Sequence, residues 1–215
     1  MICRERKLIF VHIPKTGGTS VEDMIWPAPR AESDLWMGFV RPGFNKYQTG
    51  GLQHLTVRHI RREVGPKMFR ECYRFALIRH PVDRLVSGFN YLNRRGDLRA
   101  LLGLGPKRSF SAYLRRIQRV KHVQWMPQAD FLLDHNDEMA AEVFKLENIG
   151  QTFGTLAAKV GLTETALAHS NKTLADGVKE GWVVVRKNDV SDEDRQIIQR
   201  LYGRDFDLLG YDPKG

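Results

Sequence analysis

Phe10-Val11-His12-Ile13-Pro14-Lys15-Thr16-Gly17-Gly18-Thr19-Ser20 is the stretch whose reading decides the fold. An apolar run, Leu8 to Ile13, leads into a basic, glycine-rich turn. A second apolar pattern follows at Val21, Met24 and Ile25. That order predicts a buried strand, a tight loop and a helix. Two adjacent glycines let the backbone fold back and turn several N–H groups toward one point. The first turn of a helix adds further N–H donors and a positive dipole end. Lys15 supplies a mobile cation, and Thr16, Thr19 and Ser20 supply hydroxyls. Together they predict a site for a multiply charged anion of the phosphate type.

The place of the lysine narrows the anion. The common nucleotide loop, G-x-x-x-x-G-K-[ST], carries its lysine after the glycines. Here Lys15 precedes Gly17 and Gly18, and no G-x-x-x-x-G-K string occurs in the chain. An ATPase or kinase of the usual loop type is therefore disfavoured.

At 215 residues and 42% hydrophobic content, the chain is long enough for one α/β domain with a full core. No repeat, low-complexity run or linker-like break divides it, so residues 1–215 are expected to form a single domain. The net charge of +9 fits an acidic glycan, a polyphosphate cofactor or a nucleic acid. Nucleic acid is set aside, because the arginines are dispersed and no RNA-binding signature occurs. Cys3 and Cys72, the only cysteines, make neither a disulfide framework nor a zinc site. With no His/Asp/Glu cluster at ligand spacing, no metal is expected. No stretch approaches ~18 apolar residues, so no membrane span is expected. The charged residues Arg4 to Lys7 followed by a short apolar run do not make a signal peptide. With Met1 as the natural start, a soluble cytoplasmic enzyme is the expectation.

Along the chain, Pro27 and Pro29 cut the first helix short. Residues 30–53, rich in aromatics and glycine, read as a long loop that lines an acceptor cleft or merely packs on the surface. Thr56 is the predicted N-cap of a helix with Val57, Ile60 and Val64 on one face and Gly65 as its stop. His54 precedes it on a loop end. Tyr73 to Ile78 is a second buried strand. It runs into Arg79-His80-Pro81-Val82-Asp83-Arg84-Leu85-Val86-Ser87, with Pro81 at a first helical position. Arg79 thus falls where strand carboxyl ends meet helix starts, the ligand-binding edge of an open α/β sheet. Ser87 lies ~9 Å along the helix from Pro81 at 1.5 Å per residue, so a long Arg79 side chain and Ser87 can share one phosphate. Arg84 is equally suited to a structural ion pair or a ligand contact. Gly96 is read as the end of that helix and residues 96–108 as a loop. Phe110, Tyr113, Leu114 and Ile117 repeat at helical spacing, with Arg115, Arg116, Arg119 and Lys121 mostly on the opposite, solvated side. Val143 to Glu147 reads as a third strand. A helix with Phe153, Leu156, Ala157 and Val160 follows, closed by Gly161. Residues 182–186 are β-branched like a strand but lie among helices. Ser191 caps a last helix that Gly203 ends.

Two motifs carry a resemblance. Pro14-Lys15-Thr16-Gly17-Gly18-Thr19-Ser20 resembles the 5′-phosphosulfate loop of sulfotransferases that use 3′-phosphoadenosine 5′-phosphosulfate (PAPS). R-x-P-x-x-R-x-x-S, filled by Arg79, Pro81, Arg84 and Ser87, resembles their 3′-phosphate motif. Both occur in order and at strand-to-helix junctions. The pair is similar to the carbohydrate sulfotransferases related to heparan sulfate 2-O-sulfotransferase and their bacterial relatives. The resemblance implies a P-loop-like three-layer α/β fold with a central, mainly parallel sheet flanked by helices. It implies that Lys15, Thr16, Gly17, Gly18, Thr19 and Ser20 hold the phosphosulfate and that Arg79 and Ser87 hold the 3′-phosphate. Relatives place a histidine between the motifs as catalytic base, which makes His54 the base and leaves Glu22, a carboxylate on the first helix, as the alternative. His12 and His59 are read as packing or surface residues. A relative's H-x-N-x-[ST] segment resembles His169 to Thr173 and makes Asn171 and Lys172 cofactor-site candidates.

The function expected on this basis is in-line transfer of a sulfuryl group from PAPS to a hydroxyl, on a glycan or glycoconjugate. Lys15 is the electrostatic catalyst, His54 the base, and no metal takes part. The alternatives are a kinase-like nucleotide-dependent transferase and a nucleotide-binding module without chemistry. Lysine placement and the lack of a magnesium motif weigh against the first; Lys15 and His54 weigh against the second.

Overall fold

Leu8-Ile9-Phe10 and Phe75-Ala76-Leu77-Ile78 have no exposed face, and a sheet forms around them, as expected of parallel strands covered on both sides. The structure is a computed structural model that describes residues 1–25, 54–105, 108–163 and 183–215. Loop 30–53, His169 to Thr173 with Asn171 and Lys172, and Trp182 lie outside the described residues.

The strands are β1 (Ile2–Cys3), β2 (Leu8–Phe10), β3 (Tyr73–Ile78) and β4 (Glu142–Lys145). The helices are α1 (Gly18–Ile25), α2 (Val57–Val64), α3 (Pro66–Glu71), α4 (Pro81–Leu92), α5 (Gly96–Leu101), α6 (Phe110–Ile117), α7 (Gln128–Leu132), α8 (Ile149–Val160), α9 (Asp192–Leu201) and α10 (Gly203–Leu209). The sheet order is β1-β2-β3-β4. β1 is antiparallel to β2, while β2, β3 and β4 run parallel, with Phe10 beside Phe75 and Ile78 beside Lys145. This is a mixed α/β fold with an open, mainly parallel sheet.

Contacts divide the described chain into two compact units. One falls within Met1–Ile78 and Gln128–Ser170, the other within Arg79–Pro127 and Asn171–Gly215. The first unit holds the sheet. Phe10, Phe75 and Phe144 of its strands share a core with Val21 and Ile25 of α1 and Phe153, Leu156 and Val160 of α8. The second unit is helical, and Phe89 of α4 meets Phe110 of α6 edge to face at 5.6 Å.

Capping residues set several boundaries where the sequence puts them. The Thr56 hydroxyl accepts from the His59 N–H at 3.3 Å and starts α2. Gly65 ends α2 at φ 83° and Gly161 ends α8 at φ 69°. The Ser191 hydroxyl accepts from the Asp194 N–H at 3.2 Å and starts α9.

Three expectations are corrected, and a stretch that the sequence left open takes a definite form. Gly96 does not end the preceding helix. α4 stops at Leu92, and the chain restarts as α5 at Gly96 within the stretch read as a loop. Asp97 in the first turn of α5 accepts from Arg95 Nε at 2.8 Å, and a carboxylate there suits a helix start. Gly203 opens α10 rather than closing α9. The break falls at Tyr202, whose hydroxyl is tied to the Trp125 carbonyl at 2.5 Å. The third parallel strand ends at Lys145, and residues 146–148 turn as a 3-10 helix. Residues 183–186, left open by the sequence, have no regular secondary structure and pair with no strand among the described residues. There the Asn90 side chain donates to the Val185 carbonyl at 2.8 Å and accepts from its N–H at 3.0 Å, and Asn93 donates to the Val183 carbonyl at 2.9 Å. Two asparagines of the α4 region do for this segment what a neighbouring strand does elsewhere.

Candidate active site

The first unit carries the lysine loop. β2 ends at Phe10, and residues 11–17 run from its carboxyl end to the start of α1. Lys15 is half-buried and sits at φ 69°, left-handed backbone that a side chain disfavours. Thr16 is fully buried and its hydroxyl donates to the Ile13 carbonyl at 2.9 Å, closing the turn. Its side chain therefore shapes the loop, and its main chain is what it can offer an anion. Gly17 has φ 83°, and a Cβ there would lie 2.9 Å from Leu146 Cδ1. At Gly18 a Cβ would lie 2.3 Å from His12 Cδ2 and Nε2. Gly17 is thus required by its backbone conformation and Gly18 by the His12 ring beside it. Thr19 is exposed at the start of α1 and Ser20 is buried.

His12 is the centre of the site. Its ring lies against Gly18, stacks on Phe10 at 5.4 Å and meets the His54 ring edge-on at 4.6 Å. Its Nδ1 is 2.5 Å from Glu22 Oε1, and the two side chains are 7% and 3% exposed. A carboxylate only accepts, so Nδ1 carries the proton of that bond. His54 Nδ1 lies 2.9 Å from the His12 backbone carbonyl. A carbonyl also only accepts, so His54 is protonated on Nδ1, and in the neutral ring Nε2 holds the lone pair. His54 is 8% exposed. The loop, Glu22 and His54 therefore meet at one residue, and the arrangement provides a cation, main-chain donors and an oriented imidazole.

The packing role read for His12 holds, since its buried ring stacks on Phe10, but that reading did not include the pairing with Glu22. A signal was present, because Gly18, Val21, Glu22 and Ile25 follow helical spacing and are all buried. A glutamate inside such a face demands a partner, and His12 is it.

The second unit carries Arg79 and Ser87. Arg79 directly follows β3 and is half-buried, Pro81 takes the first helical position of α4, and Ser87 lies half-buried in its second turn. Arg84 is a structural cation. It is 2% exposed and donates from Nη1 to the Met126 carbonyl at 2.8 Å. Burial draws its guanidinium below the ordinary value, while Tyr202, Asp205 and Tyr113 oppose the shift. Among the described residues, no group of three or more His, Cys, Asp or Glu is placed to hold a metal ion, and no helix is long and apolar enough to cross a membrane.

A lysine-bearing turn between a parallel strand and a helix lies at the strand-end edge where open α/β sheets bind their ligands. A sequence model of the Sulfotransferase family matches residues 1–212, and the chain belongs to that family. It is therefore a transferase of sulfuryl groups. Neither curated proteins nor solved structures gave a match.

Proposed function

We propose that the chain moves the sulfuryl group of PAPS to a hydroxyl of a carbohydrate acceptor by in-line displacement, with His54 as the base. The observation that carries this is the bond from His54 Nδ1 to the His12 carbonyl beside the lysine loop, which leaves Nε2 as the basic nitrogen of the neutral ring. A carboxylate base at Glu22 is less suited, since its oxygen is engaged by His12.

The residues present fit the donor. Lys15 supplies positive charge, and Gly17 and Gly18 carry no side chains of their own in the turn that leads into α1. Lys15 stabilises the charge that develops on the leaving phosphate oxygens. Thr16, Gly17, Gly18, Thr19 and Ser20 position the phosphosulfate, and Arg79 and Ser87 bind the 3′-phosphate. Asn171 and Lys172 complete the nucleotide site. His54 Nε2 takes the acceptor's proton, a role open to a neutral imidazole near pH 7. In this proposal residues 1–215 act as one sulfotransferase domain of P-loop-like, three-layer type. The net charge of +9 supports an acidic carbohydrate as acceptor.

Competition binding tests the donor. Adenosine 3′,5′-bisphosphate, the desulfated product, should bind more tightly than ATP, and Arg79→Ala should weaken it chiefly in affinity. ATP binding as tightly as the bisphosphate, indifferent to Arg79→Ala, would return the chain to the kinase-like class.

A further inference from the structure

The pair His12–Glu22 has no part in the transfer as stated, yet both side chains are buried and bonded to each other. Glu22 lies on the inward face of α1, and its Oε1 is 2.5 Å from His12 Nδ1. The His12 ring is held from four sides, by Glu22, Phe10, Gly18 and His54. Its backbone carbonyl is the partner of His54 Nδ1. The ring also abuts His54 directly, edge-on at 4.6 Å, so a His12 ring that cannot turn limits how the His54 ring can turn about its bond to the carbonyl. The carbonyl in turn fixes which nitrogen of His54 is basic and where it points.

We infer that Glu22 and His12 are positioning residues for His54, acting through the edge contact of the held His12 ring with the His54 ring, and that Glu22 does not itself take the acceptor's proton. This rests on His54 being the base, so the two claims need separable tests. A base at Glu22 requires a carboxylate, whereas a positioning role requires only an acceptor for His12 Nδ1–H. Glutamine keeps the acceptor and removes the basicity; alanine removes both.

The test uses the full chain, radiolabelled PAPS and sulfate release with water as the accepting hydroxyl, alongside the imidazole nitrogen shifts of His54. Glu22→Gln should retain activity within a few-fold and keep the His54 proton on Nδ1. Glu22→Ala should lose turnover on the order of 10²-fold, the scale of a misplaced catalytic group, with the KM for PAPS little changed and the His54 tautomer mixed. Should Glu22→Ala not fold, Glu22→Asp, one methylene shorter, should show the same fall in turnover and the same mixed tautomer. Glu22→Gln as inactive as Glu22→Ala would overturn the proposal and make Glu22 the proton acceptor. Unchanged turnover and an unchanged tautomer in the alanine or aspartate variant would also overturn it. Full activity in His54→Ala would instead remove the base assignment, while the nitrogen shifts would still report whether Glu22 sets the tautomer.

Discussion

Lys15 combines two demands on one position. Its φ of 69° costs a side-chain-bearing residue about 1–2 kcal/mol, and glycine would adopt it without strain. A lysine kept in such backbone points to its charge. Lys15→Gly should therefore leave thermal stability unchanged or raise it by up to about 1 kcal/mol, because relief of strain offsets the larger entropy of glycine in the unfolded chain. Sulfuryl transfer should fall on the order of 10²-fold or more. Melting curves beside transfer rates check the split, and parallel loss of both would mean the lysine holds the fold. Gly18→Ala should do the reverse and act on structure first. Its methyl would meet a His12 ring already fixed by Phe10 and Glu22, so denaturation should show a loss of about 1–3 kcal/mol. Lysine order and glycine pairing were legible in the sequence because they are local. The His12–Glu22 pair was not, because its two members lie on opposite sides of the turn and only the folded strand and helix bring them together.

Elements were legible where one signal decided them. Continuous apolar runs gave β2 and β3, and Thr56, Gly65, Gly161 and Ser191 gave helix ends through caps that act within four residues. Gly96 and Gly203 misled, since a glycine also permits a helix to restart beside a tied neighbour. Residues 183–186 could not be settled at all, because their partners are the side chains of Asn90 and Asn93 about ninety positions away. Asn90→Ala strips both hydrogen bonds from buried Val185, and chemical denaturation should show a cost of about 1–3 kcal/mol per group left unpaired. Leu77→Ala in β3, a fully buried position, should cost about 2–5 kcal/mol in the same measurement. At the edge of β4, Lys159 and then Tyr73 hold the Glu142 carboxyl below its ordinary value of 4.5. A depressed carboxyl stabilises above its unfolded value, and that contribution is lost as pH falls through the lower folded value. Glu142→Gln should therefore flatten the acid limb of stability against pH, and only slightly, because the group is exposed.

For the whole molecule, the resemblance carried by the two motifs and the family match over residues 1–212 agree on a sulfotransferase. The class of chemistry was legible because two short loops at strand ends resemble known motifs; their residues alone pointed only to a phosphate-type anion. The acceptor was not, because residues 30–53, read as either its cleft or a packed surface loop, carry no motif. The most direct test is transfer itself, with radiolabelled PAPS offered to the wild-type chain and to His54→Ala in the presence of a panel of hydroxyl acceptors that includes acidic and neutral oligosaccharides. Label should pass to a carbohydrate hydroxyl with release of adenosine 3′,5′-bisphosphate, and His54→Ala should lose most of that transfer. Intact PAPS after incubation with every acceptor, or equal transfer by wild type and His54→Ala, would contradict the account.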